Sequence, residues 1–491
     1  MDPSLTASTM AKIDVQTLTR TSDWSNLRVC VVGLGVAGFA AADALIQLNA
    51  QVVILDANPG EKQKERATLL EILGAEIVFG DDTQLPENID LLVLSPGVSP
   101  LAPIVKAARD REVPIWGELE LAWHLRDLTN PAPWLLITGT NGKTTTTLML
   151  ESILKAAGKR AVAAGNIGLS MVEVVMDPQP WDVLAVEVGA PQLPFVHSIT
   201  PQAAVCLNLA PDHIDLFGTF EAYRDAKARI YERCEVAAIY NLADPQTIAM
   251  VEQAEVTEGC RAIGFTLGIP DISMLGVVDE FLVDRAFLSE RKDSALELAE
   301  ITDLAINAKH NIENALAAAA LARAHGIEPR HIRDGLRAWQ PAAHRIAHVA
   351  TINEVAYIDD SKATNTHAAM TSLTAYPSVV WIAGGMAKGQ DFDELVIATA
   401  NRIKGVVLLG VDQEHIAAAL TKHAPQIPVT KVTDTDTSAM ELVVRAAADY
   451  AKPGDTVLLA PGCASWDMFK DYSHRGQVFA QAVRKLAEND N

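Results

Sequence analysis

The chain repeats one pattern of hydrophobic and polar positions: a short apolar run, a turn rich in glycine or polar residues, and a stretch with helical spacing. The apolar runs lie at 29–32, 52–55, 91–94, 134–137, 183–186, 204–207, 236–240, 355–358, 379–382, 406–409 and 456–459. Short strands that alternate with helices predict parallel sheets covered by helices on both faces. In such sheets, ligands bind beyond the carboxyl ends of the strands.

Two breaks divide this pattern into three α/β units, one near Gly117 and one at Pro341. A chain of 491 residues is long enough for about three domains. We therefore expect domains at 1–117, 118–341 and 342–491. Residues 1–26 are polar and lack the apolar stretch of a signal peptide, so we expect a loose extension there.

Composition narrows the classes of function. The chain has 62 Asp and Glu against 40 Lys and Arg, a net charge of -22, which argues against a protein that binds nucleic acid. The five cysteines are scattered and form no CxxC pair, which indicates a reducing compartment without a structural zinc site. No apolar run approaches the roughly 18 residues of a membrane span. We therefore expect a cytoplasmic protein without membrane insertion.

The strongest candidate for chemistry is a phosphate-binding loop at 138–145, with the sequence TGTNGKTT, directly after the predicted strand at 134–137. Glycines let backbone N–H groups close around phosphates, and the start of a helix adds partial positive charge. Lys143 would reach the β- and γ-phosphates, and the Thr144 hydroxyl would ligate Mg²⁺. The spacing is shorter than in the full GxxxxGK[ST] motif, because Gly139 lies only three residues before Gly142.

A second glycine-rich turn contains Gly33, Gly35 and Gly38, and Asp56 ends the next predicted strand. This arrangement suits the pyrophosphate and ribose of a dinucleotide. A sugar nucleotide diphosphate poses the same physical problem. An NAD-dependent oxidoreductase would leave the phosphate loop unexplained, so a nucleotide site is the broader prediction.

Other polar residues cluster at the predicted strand ends. Glu187 and His213 are candidate metal ligands, although Mg²⁺ prefers oxygen and a lone His is more often a hydrogen-bonded structural group. Lys227 lies on a predicted helix, where a solvated face is the alternative. Asn311, in the run KHNIEN at 309–314, could bind a base edge or simply begin a helix.

The C-terminal unit carries a further group at its strand ends. Arg345 could grip a transferring phosphoryl group. Lys388 and Ser465 would suit a second substrate that bears a carboxylate.

In this order, the motifs TGTNGKTT, KHNIEN and DSKATN (360–365), with SPGVSP at 95–100, resemble the Mur ligase family. The resemblance covers the chain after about Leu27. It implies an α/β protein of three domains: an N-terminal Rossmann-like domain, a central P-loop ATPase-like parallel sheet and a C-terminal Rossmann-like domain. The wider superfamily includes folylpolyglutamate synthetase, whereas DSKATN and SPGVSP point to the branch that adds D-glutamate.

The resemblance also implies an activity. ATP would phosphorylate the carboxylate of UDP-N-acetylmuramoyl-L-alanine, the amine of D-glutamate would attack the acyl phosphate, and an amide and phosphate would result. A carboxylate acylates poorly until its oxygen leaves as phosphate, so positioning and charge neutralisation carry the catalysis. The partners expected are these small molecules and Mg²⁺, with no nucleic acid, and the chain is expected to be a monomer.

The residues that the resemblance assigns fall into five groups. The ATP group is Gly139, Thr140, Asn141, Gly142, Lys143, Thr144, Thr145, Asn311, Arg345 and Asp360. The UDP-sugar group is Gly33, Gly35, Gly38, Asp56, Ser95, Asn166 and Gln192. The D-glutamate group is Lys362, Thr364, Lys388, Ser465 and Tyr472. The metal group is Thr144, Glu187, His213 and Lys227, with Lys227 carbamylated. The catalytic group is Lys143, His213, Lys227 and Lys388.

The chain departs from the family after Glu187. Family members have Ser-Ser-aromatic before Gln-Leu, where this chain has Gly189, Ala190 and Pro191 before Gln192. The departure keeps two alternatives open: another amino-acid ligase of the Mur or folylpolyglutamate type, or a nucleotide-binding homologue with impaired catalysis.

Overall fold

Three sheets, each covered by helices, make up the molecule, as a computed structural model describes it for residues 14–57, 59–290, 292–341, 346–434 and 436–489. The predicted α/β class with three sheet-based units is confirmed. Within the described residues, no helix is both long and apolar enough to cross a lipid bilayer.

The N-terminal sheet is parallel, with strand order β3-β2-β1-β4-β5. Its strands are β1 (Arg28–Val32), β2 (Gln51–Asp56), β3 (Glu76–Phe79), β4 (Leu91–Leu94) and β5 (Ile115–Gly117). Its helices are α1 (Val36–Gln47), α2 (Glu61–Ile72), α3 (Pro103–Asp110) and α4 (Glu118–Leu125). The apolar strand β4 is buried on both faces, as expected for a parallel sheet between helices.

The central sheet has nine strands in the order β14-β13-β12-β11-β10-β9-β6-β8-β7. Its strands are β6 (Trp134–Thr138), β7 (Ala161–Gly165), β8 (Val183–Glu187), β9 (Ala203–Cys206), β10 (Ala237–Asn241), β11 (Arg261–Phe265), β12 (Met274–Val278), β13 (Phe281–Asp284) and β14 (Leu296–Glu300). Its helices are α5 (Lys143–Ala156), α6 (Met171–Met176), α7 (Ile214–Phe217), α8 (Phe220–Ala228), α9 (Pro245–Glu252), α10 (Lys309–Ala324) and α11 (Pro329–Ala338). The run of small alanine side chains in α10 is buried and packs closely against α5.

The C-terminal sheet has six strands in the order β15-β16-β20-β17-β18-β19. Its strands are β15 (Ala347–Ile352), β16 (Val355–Asp359), β17 (Val379–Gly384), β18 (Ile403–Leu409), β19 (Val429–Lys431) and β20 (Thr456–Leu459). Its helices are α12 (Thr366–Thr374), α13 (Asp393–Thr399), α14 (Gln413–His423), α15 (Ala439–Tyr450) and α16 (Tyr472–Asn489).

The apolar cores join the units unequally. One continuous cluster runs from the N-terminal sheet into the central sheet, so that Trp116 and Leu119 share it with Val172 and Val186. The two clusters of the C-terminal unit contain only residues after Ile346 among those described. Polar contacts at the strand ends therefore matter more for the position of the C-terminal unit than for that of the N-terminal sheet.

Two expectations need correction. The sheets are not wholly parallel, because β12–β13, β13–β14 and β15–β16 pair antiparallel. Residues 14–26 are not a loose extension: Val15, Leu18 and Trp24 are buried, and the Leu18 carbonyl lies 2.8 Å from Nδ1 of His124. Single apolar anchors in a polar sequence have no periodicity, which is why the pattern missed this segment. Residues 1–13 lie outside the described residues.

Candidate active site

A cleft of about 310 Å³ opens where the carboxyl ends of the central strands face the start of α12. Central and C-terminal residues line it together. The predicted site residues along it are Thr140, Asn141, Gly142, Lys143, Thr144, Thr145, Asn166, Glu187, His213, Asn311, Asp360, Lys362 and Thr364. Most of the ATP group thus comes together with Thr144, Glu187 and His213 of the metal group and with Lys362 and Thr364 of the D-glutamate group.

The phosphate loop connects β6 to α5 through two glycines in left-handed backbone. Gly142, with a φ of 84°, is the residue before the first turn of α5. A Cβ at Gly142 would stand 2.4 Å from Oδ1 of Asn314, so both the backbone angle and the space require glycine. The loop therefore presents the N-terminus of a 14-residue helix to the cleft, a ready anion site.

Two lysines converge on this loop from different helices. Nζ of Lys143 donates to the carbonyls of Gly139 and Thr140, each at 2.9 Å. Nζ of Lys227, at the end of α8, donates to the same Gly139 carbonyl at 2.8 Å and to Oγ1 of Thr138 at 3.2 Å. Lys227 is almost fully buried, so the alternative of a solvated helix face is wrong.

The environment of Lys227 favours its neutral form. Burial is the main cause, and the charge of Lys143 adds to it, so that the pKa of Lys227 falls to about 7. A buried amine that is partly neutral near pH 7 is a nucleophile, in contrast to an ordinary surface lysine.

Glu187 ends β8 with its carboxylate buried. Oε1 accepts a hydrogen bond from Nδ2 of Asn166 at 3.0 Å, whereas Oε2 is buried and has no partner among the described residues. A buried carboxylate oxygen without a donor is costly, unless a ligand or ion satisfies it.

His213 stands beside the cleft in left-handed backbone, with a φ of 54°, directly before α7. Its Nδ1 is buried and meets no partner in the part of the chain that the structure describes, and Nε2 lies 3.7 Å from Oδ2 of Asp212. Burial lowers the pKa of His213, the charges of Lys388 and Lys143 lower it further, and Asp212 opposes them. The imidazole is therefore neutral near pH 7 and can offer a lone pair.

Thr144, Glu187 and His213 suit a divalent cation whose coordination is completed by water or by substrate phosphates. Among the described residues, no group of three or more His, Cys, Asp or Glu side chains is arranged to hold a metal. The orphaned atoms of Glu187 and His213 nevertheless line the same cleft as Thr144. Two protein ligands with a hydroxyl suit Mg²⁺, which keeps several waters and is often completed by substrate phosphates.

The far side of the cleft suits a planar base. Asn311 and Asn314 are buried on one face of α10, and Nδ2 of Asn314 lies 3.5 Å from Oδ1 of Asn311. Phe265 and Trp339 line the cleft nearby. Aromatic surface beside amide groups provides stacking and paired hydrogen bonds for a base edge.

The C-terminal side contributes charged and aromatic groups. Asp360, which follows β16, accepts a short hydrogen bond from Oγ of Ser372. Nζ of Lys362 lies 3.9 Å from the ring centre of Tyr472, and Nζ of Lys388 lies 4.2 Å from that of Trp466. Ser465 is buried. Arg345 lies outside the described residues.

The residues assigned to the UDP-sugar lie in two separate places. Asn166 lines the cleft, but Gly33, Gly35, Gly38, Asp56 and Ser95 form a separate turn on the N-terminal sheet. There the Asp56 carboxylate accepts from the N–H of Leu34 at 2.8 Å, and Oγ of Ser95 donates to the Gly33 carbonyl at 3.0 Å. This turn is held by its own side chains.

The segment that departs from the family is well ordered. Ala190–Phe195 is a 3₁₀-helix with Pro191 in its first turn, and Oε1 of Gln192 accepts from the N–H of Gly189 at 2.8 Å. Nε2 of Gln192 is buried without a partner. A Cβ at Gly189 would lie 3.2 Å from Oδ1 of Asn166, so this turn lies close to the Asn166 amide.

Several cleft residues were missed from the sequence. Asn314 could have been found, because it follows Asn311 by three residues on one helix face. Asn365 ends the DSKATN motif, whereas His367 carries no such signal, since only the fold brings it close to the phosphate loop.

Three family models match the chain in succession: a MurD-like N-terminal Mur ligase domain at 27–117, a Mur ligase middle domain at 137–322, and a Mur ligase glutamate ligase domain at 344–463. A UDP-N-acetylmuramoylalanine–D-glutamate ligase of Streptomyces coelicolor is 55% identical, over 95% of this chain and 99% of that protein. A protein of the same name from Mycolicibacterium smegmatis is 41% identical, over 93% and 96%.

Solved structures share the fold at low identity. A UDP-N-acetylmuramate–alanine ligase from Thermotoga maritima has a TM-score of 0.55 at 18% identity, and the match covers 94% of this chain and all of that one. A bifunctional folylpolyglutamate synthase/dihydrofolate synthase has a TM-score of 0.52 at 18% identity, over 71% and 89%.

Proposed function

The chain belongs to the Mur ligase family, and from this membership we propose that it joins D-glutamate to UDP-N-acetylmuramoyl-L-alanine in an ATP-dependent step of peptidoglycan precursor synthesis. The observation that carries the proposal is the meeting of two motifs in one cleft. Asn141 of the phosphate loop lies 3.3 Å from Asn365 at the end of the DSKATN segment. The names of the full-length relatives supply the substrate class.

The chemistry proceeds through an acyl phosphate. A carboxylate oxygen of the UDP-sugar attacks the γ-phosphorus of ATP, and the bond to the β-phosphate oxygen breaks. The neutral amine of D-glutamate then attacks the acyl carbon, the bond from that carbon to the phosphate oxygen breaks, and the nitrogen gives up one proton and keeps one as the amide N–H. Lys143 neutralises charge on the transferring phosphoryl group, in a step that depends on alignment and electrostatics.

The remaining ATP contacts are assigned by position. The backbone of Gly139–Thr145 would surround the phosphates, Asn311 would meet the base and Asp360 the ribose, while the assignment of Arg345 to the phosphate rests on the family resemblance alone. The distribution of buried amides, aromatic surface and helix N-terminus along the cleft supports this orientation.

Mg²⁺ would be held by Thr144, Glu187 and His213, through the hydroxyl, the free Oε2 and the free Nδ1. When bound, the ion supplies charge neutralisation for the phosphates. The low pKa of His213 supports the assignment, because a neutral imidazole is the form that ligates.

Lys227 is proposed to carry a carbamate. Its neutral amine would attack CO₂ and lose one proton, which converts a cation into an anion with two oxygens. The low pKa of Lys227, caused first by burial and then by Lys143, supports this reaction, and the product would add a carboxylate next to the metal group.

The other substrates are assigned to the flanking units. The residues that would bind D-glutamate are Lys362, Thr364, Lys388, Ser465 and Tyr472. Lys388 would also stabilise the negative charge that develops when the amine attacks the acyl phosphate. The turn at Gly33, Gly35, Gly38, Asp56 and Ser95, with Asn166 and Gln192, would bind the UDP-sugar. The orphaned Nε2 of Gln192 supports a ligand contact there.

We further place the domain boundaries at 117 and 341 and propose a monomer that works in the cytoplasm. The breaks between the three sheets support these boundaries. The five cysteines are free thiols, which fits a reducing compartment.

A substrate panel tests the proposal. Phosphate release should require UDP-N-acetylmuramoyl-L-alanine and D-glutamate, and should fail with L-glutamate, meso-diaminopimelate or folates. With ¹⁸O in the acid, one label should pass into the released phosphate. Turnover with a folate instead would indicate another ligase of the superfamily. Nucleotide binding without any turnover would indicate an impaired homologue.

A further inference from the structure

The side-chain amide of Asn141 is bonded at both ends to the C-terminal unit. Its Oδ1 accepts from Nδ2 of Asn365 at 3.3 Å, and its Nδ2 lies 3.0 Å from Nδ1 of His367. Asn141 belongs to the phosphate loop, whereas Asn365 and His367 stand at the start of α12. We name these three residues the Asn141 latch.

The orientation of Asn365 is fixed by its other contacts. It precedes the first turn of α12, and its Oδ1 accepts from the N–H of Ala368 at 2.8 Å. Its Nδ2 therefore faces the central unit, where it also lies 3.4 Å from Oδ2 of Asp212. A carboxylate at neutral pH can only accept, so the nitrogen and oxygen of the Asn365 amide cannot be exchanged.

This orientation determines the protonation of His367. Since Asn365 donates to Oδ1 of Asn141, Nδ2 of Asn141 must be the donor toward His367. Nδ1 of His367 must then carry a lone pair, which leaves the proton on Nε2. His367 therefore serves as an acceptor for the phosphate loop.

The packing of the units explains why this contact matters for the position of the C-terminal unit. The apolar clusters of the C-terminal unit contain no central residue among those described, whereas the N-terminal and central sheets share a cluster. The position of the C-terminal unit on the cleft thus depends on polar contacts such as this latch. Each bond forms only when the two units are together.

We propose that His367 is a positioning residue, which couples the approach of the C-terminal unit to the orientation of Asn141 in the phosphate loop. This inference rests on the proposed ligase function for its kinetic consequence only. ATP can still bind the central unit when the latch is open, because the loop and the base side of the cleft remain. The aligned state for phosphoryl transfer needs the latch closed.

Three variants test the proposal. His367→Ala removes the acceptor. His367→Asn retains it, because Oδ1 of asparagine occupies nearly the place of Nδ1. Thr374→Ala is the matched control, since Thr374 is exposed near the end of the same helix and its hydroxyl bonds only to carbonyls of α12 in the described contacts.

We expect His367→Ala to lower kcat about tenfold, the effect of losing one hydrogen bond, with the Kd for ATP changed less than about twofold. His367→Asn should recover most of kcat, and Thr374→Ala should match the wild type. A wild-type kcat in His367→Ala, no recovery in His367→Asn, or an equal loss of ATP affinity would each overturn the proposal.

Scattering tests the latch independently of the reaction. With a non-hydrolysable ATP analogue, His367→Ala should give a larger radius of gyration than the wild type, and His367→Asn should not. Identical profiles for all three proteins would overturn the proposal even if the ligase activity is present. Absence of ligase activity in the wild type would instead contradict the proposed function, and the scattering comparison would still decide the latch.

Discussion

Lys143 and Lys227 donate to the same carbonyl oxygen, that of Gly139, at 2.9 and 2.8 Å. Two ammonium groups on one acceptor repel each other, and this repulsion adds to burial in lowering the pKa of Lys227 to about 7. The phosphate loop therefore has one lysine, Lys227, whose amine can become neutral near pH 7. Burial of Lys227 and its repulsion by Lys143 thus give the two amines different chemistry.

The first prediction concerns CO₂. The neutral fraction of Lys227 rises as pH increases through about 7, because the lowered pKa lies within that range. Carbamate formation should rise with it. Enzyme depleted of CO₂ should lose activity, and bicarbonate should restore more of it at pH 8 than at pH 6.

Lys227→Ala should lower kcat at least a hundredfold, as loss of a group at developing charge does, and short carboxylates should partly rescue it. Arg224→Ala is the control on the same helix, because Arg224 is exposed and pairs with Asp225. If bicarbonate and carboxylates have no effect on either protein, Lys227 is not carbamylated.

The second prediction separates the charge of Lys143 from the helix that carries it. Lys143→Ala should reduce acyl-phosphate formation about a hundredfold or more, because the positive charge faces the transferring phosphoryl group. Lys155→Ala, on the same α5, should leave it unchanged, since Lys155 is half exposed and pairs with Glu151 at 2.8 Å. Rapid-quench measurement of the acyl phosphate compares them. Equal rates in the two variants would refute the assignment of the loop.

The third prediction uses two glycines of one turn. A Cβ at Gly38 would stand 1.8 Å from the Gly33 carbonyl oxygen and 2.7 Å from Oγ of Ser95, whereas a Cβ at Gly35 meets nothing within 4 Å. Gly38→Ala should lower the melting temperature and raise KM for the UDP-sugar at least tenfold, because the added methyl group would force this closely packed turn apart. Gly35→Ala should change the melting temperature little, because the added methyl group has open space. Similar behaviour of the two variants would contradict the role of this turn.

Much of the fold and of the cleft could be predicted, because the site residues lie at the ends of strands that the sequence indicates. The apolar runs indicate the strands, and Glu187 and the phosphate loop come directly at the ends of two of them. Antiparallel β13 and β14 were missed, since β13 has only four residues, β14 carries Glu297 and Glu300 among its apolar residues, and no helix separates them from β12. The burial of Lys227 is a tertiary effect, because its helix has the composition of a surface helix. The contact of His367 with Asn141 joins residues that lie 226 positions apart.

The final prediction concerns stability at the join between the N-terminal and central sheets. Glu118 and Glu120 are both buried on α4 but differ in their partners. Oε1 of Glu118 accepts from the N–H of Val172 at 3.0 Å, and its Oε2 has no partner. Burial raises the pKa of Glu118 from 4.5 to about 7. Burial also opposes ionisation of Glu120, but hydrogen bonds from His124, His197 and Ser198 outweigh it and lower its pKa.

The two glutamates should therefore respond oppositely to replacement by glutamine. Glu118 binds a proton in the folded state between pH 4.5 and about 7 that the unfolded chain has lost, so its contribution to stability falls as pH rises through this window. Glu118→Gln should be close to wild type at pH 4.5 and more stable at pH 8, by up to about 3 kcal/mol. Glu120→Gln should be less stable at pH 8, because an amide replaces a carboxylate that accepts from Oγ of Ser198 at 2.5 Å, and its deficit should shrink as pH falls below 4.5, the ordinary pKa of a glutamate. Melting temperatures from pH 4 to 8 decide the matter, and parallel curves for both variants would show that the two carboxyl groups have the same charge in the folded protein.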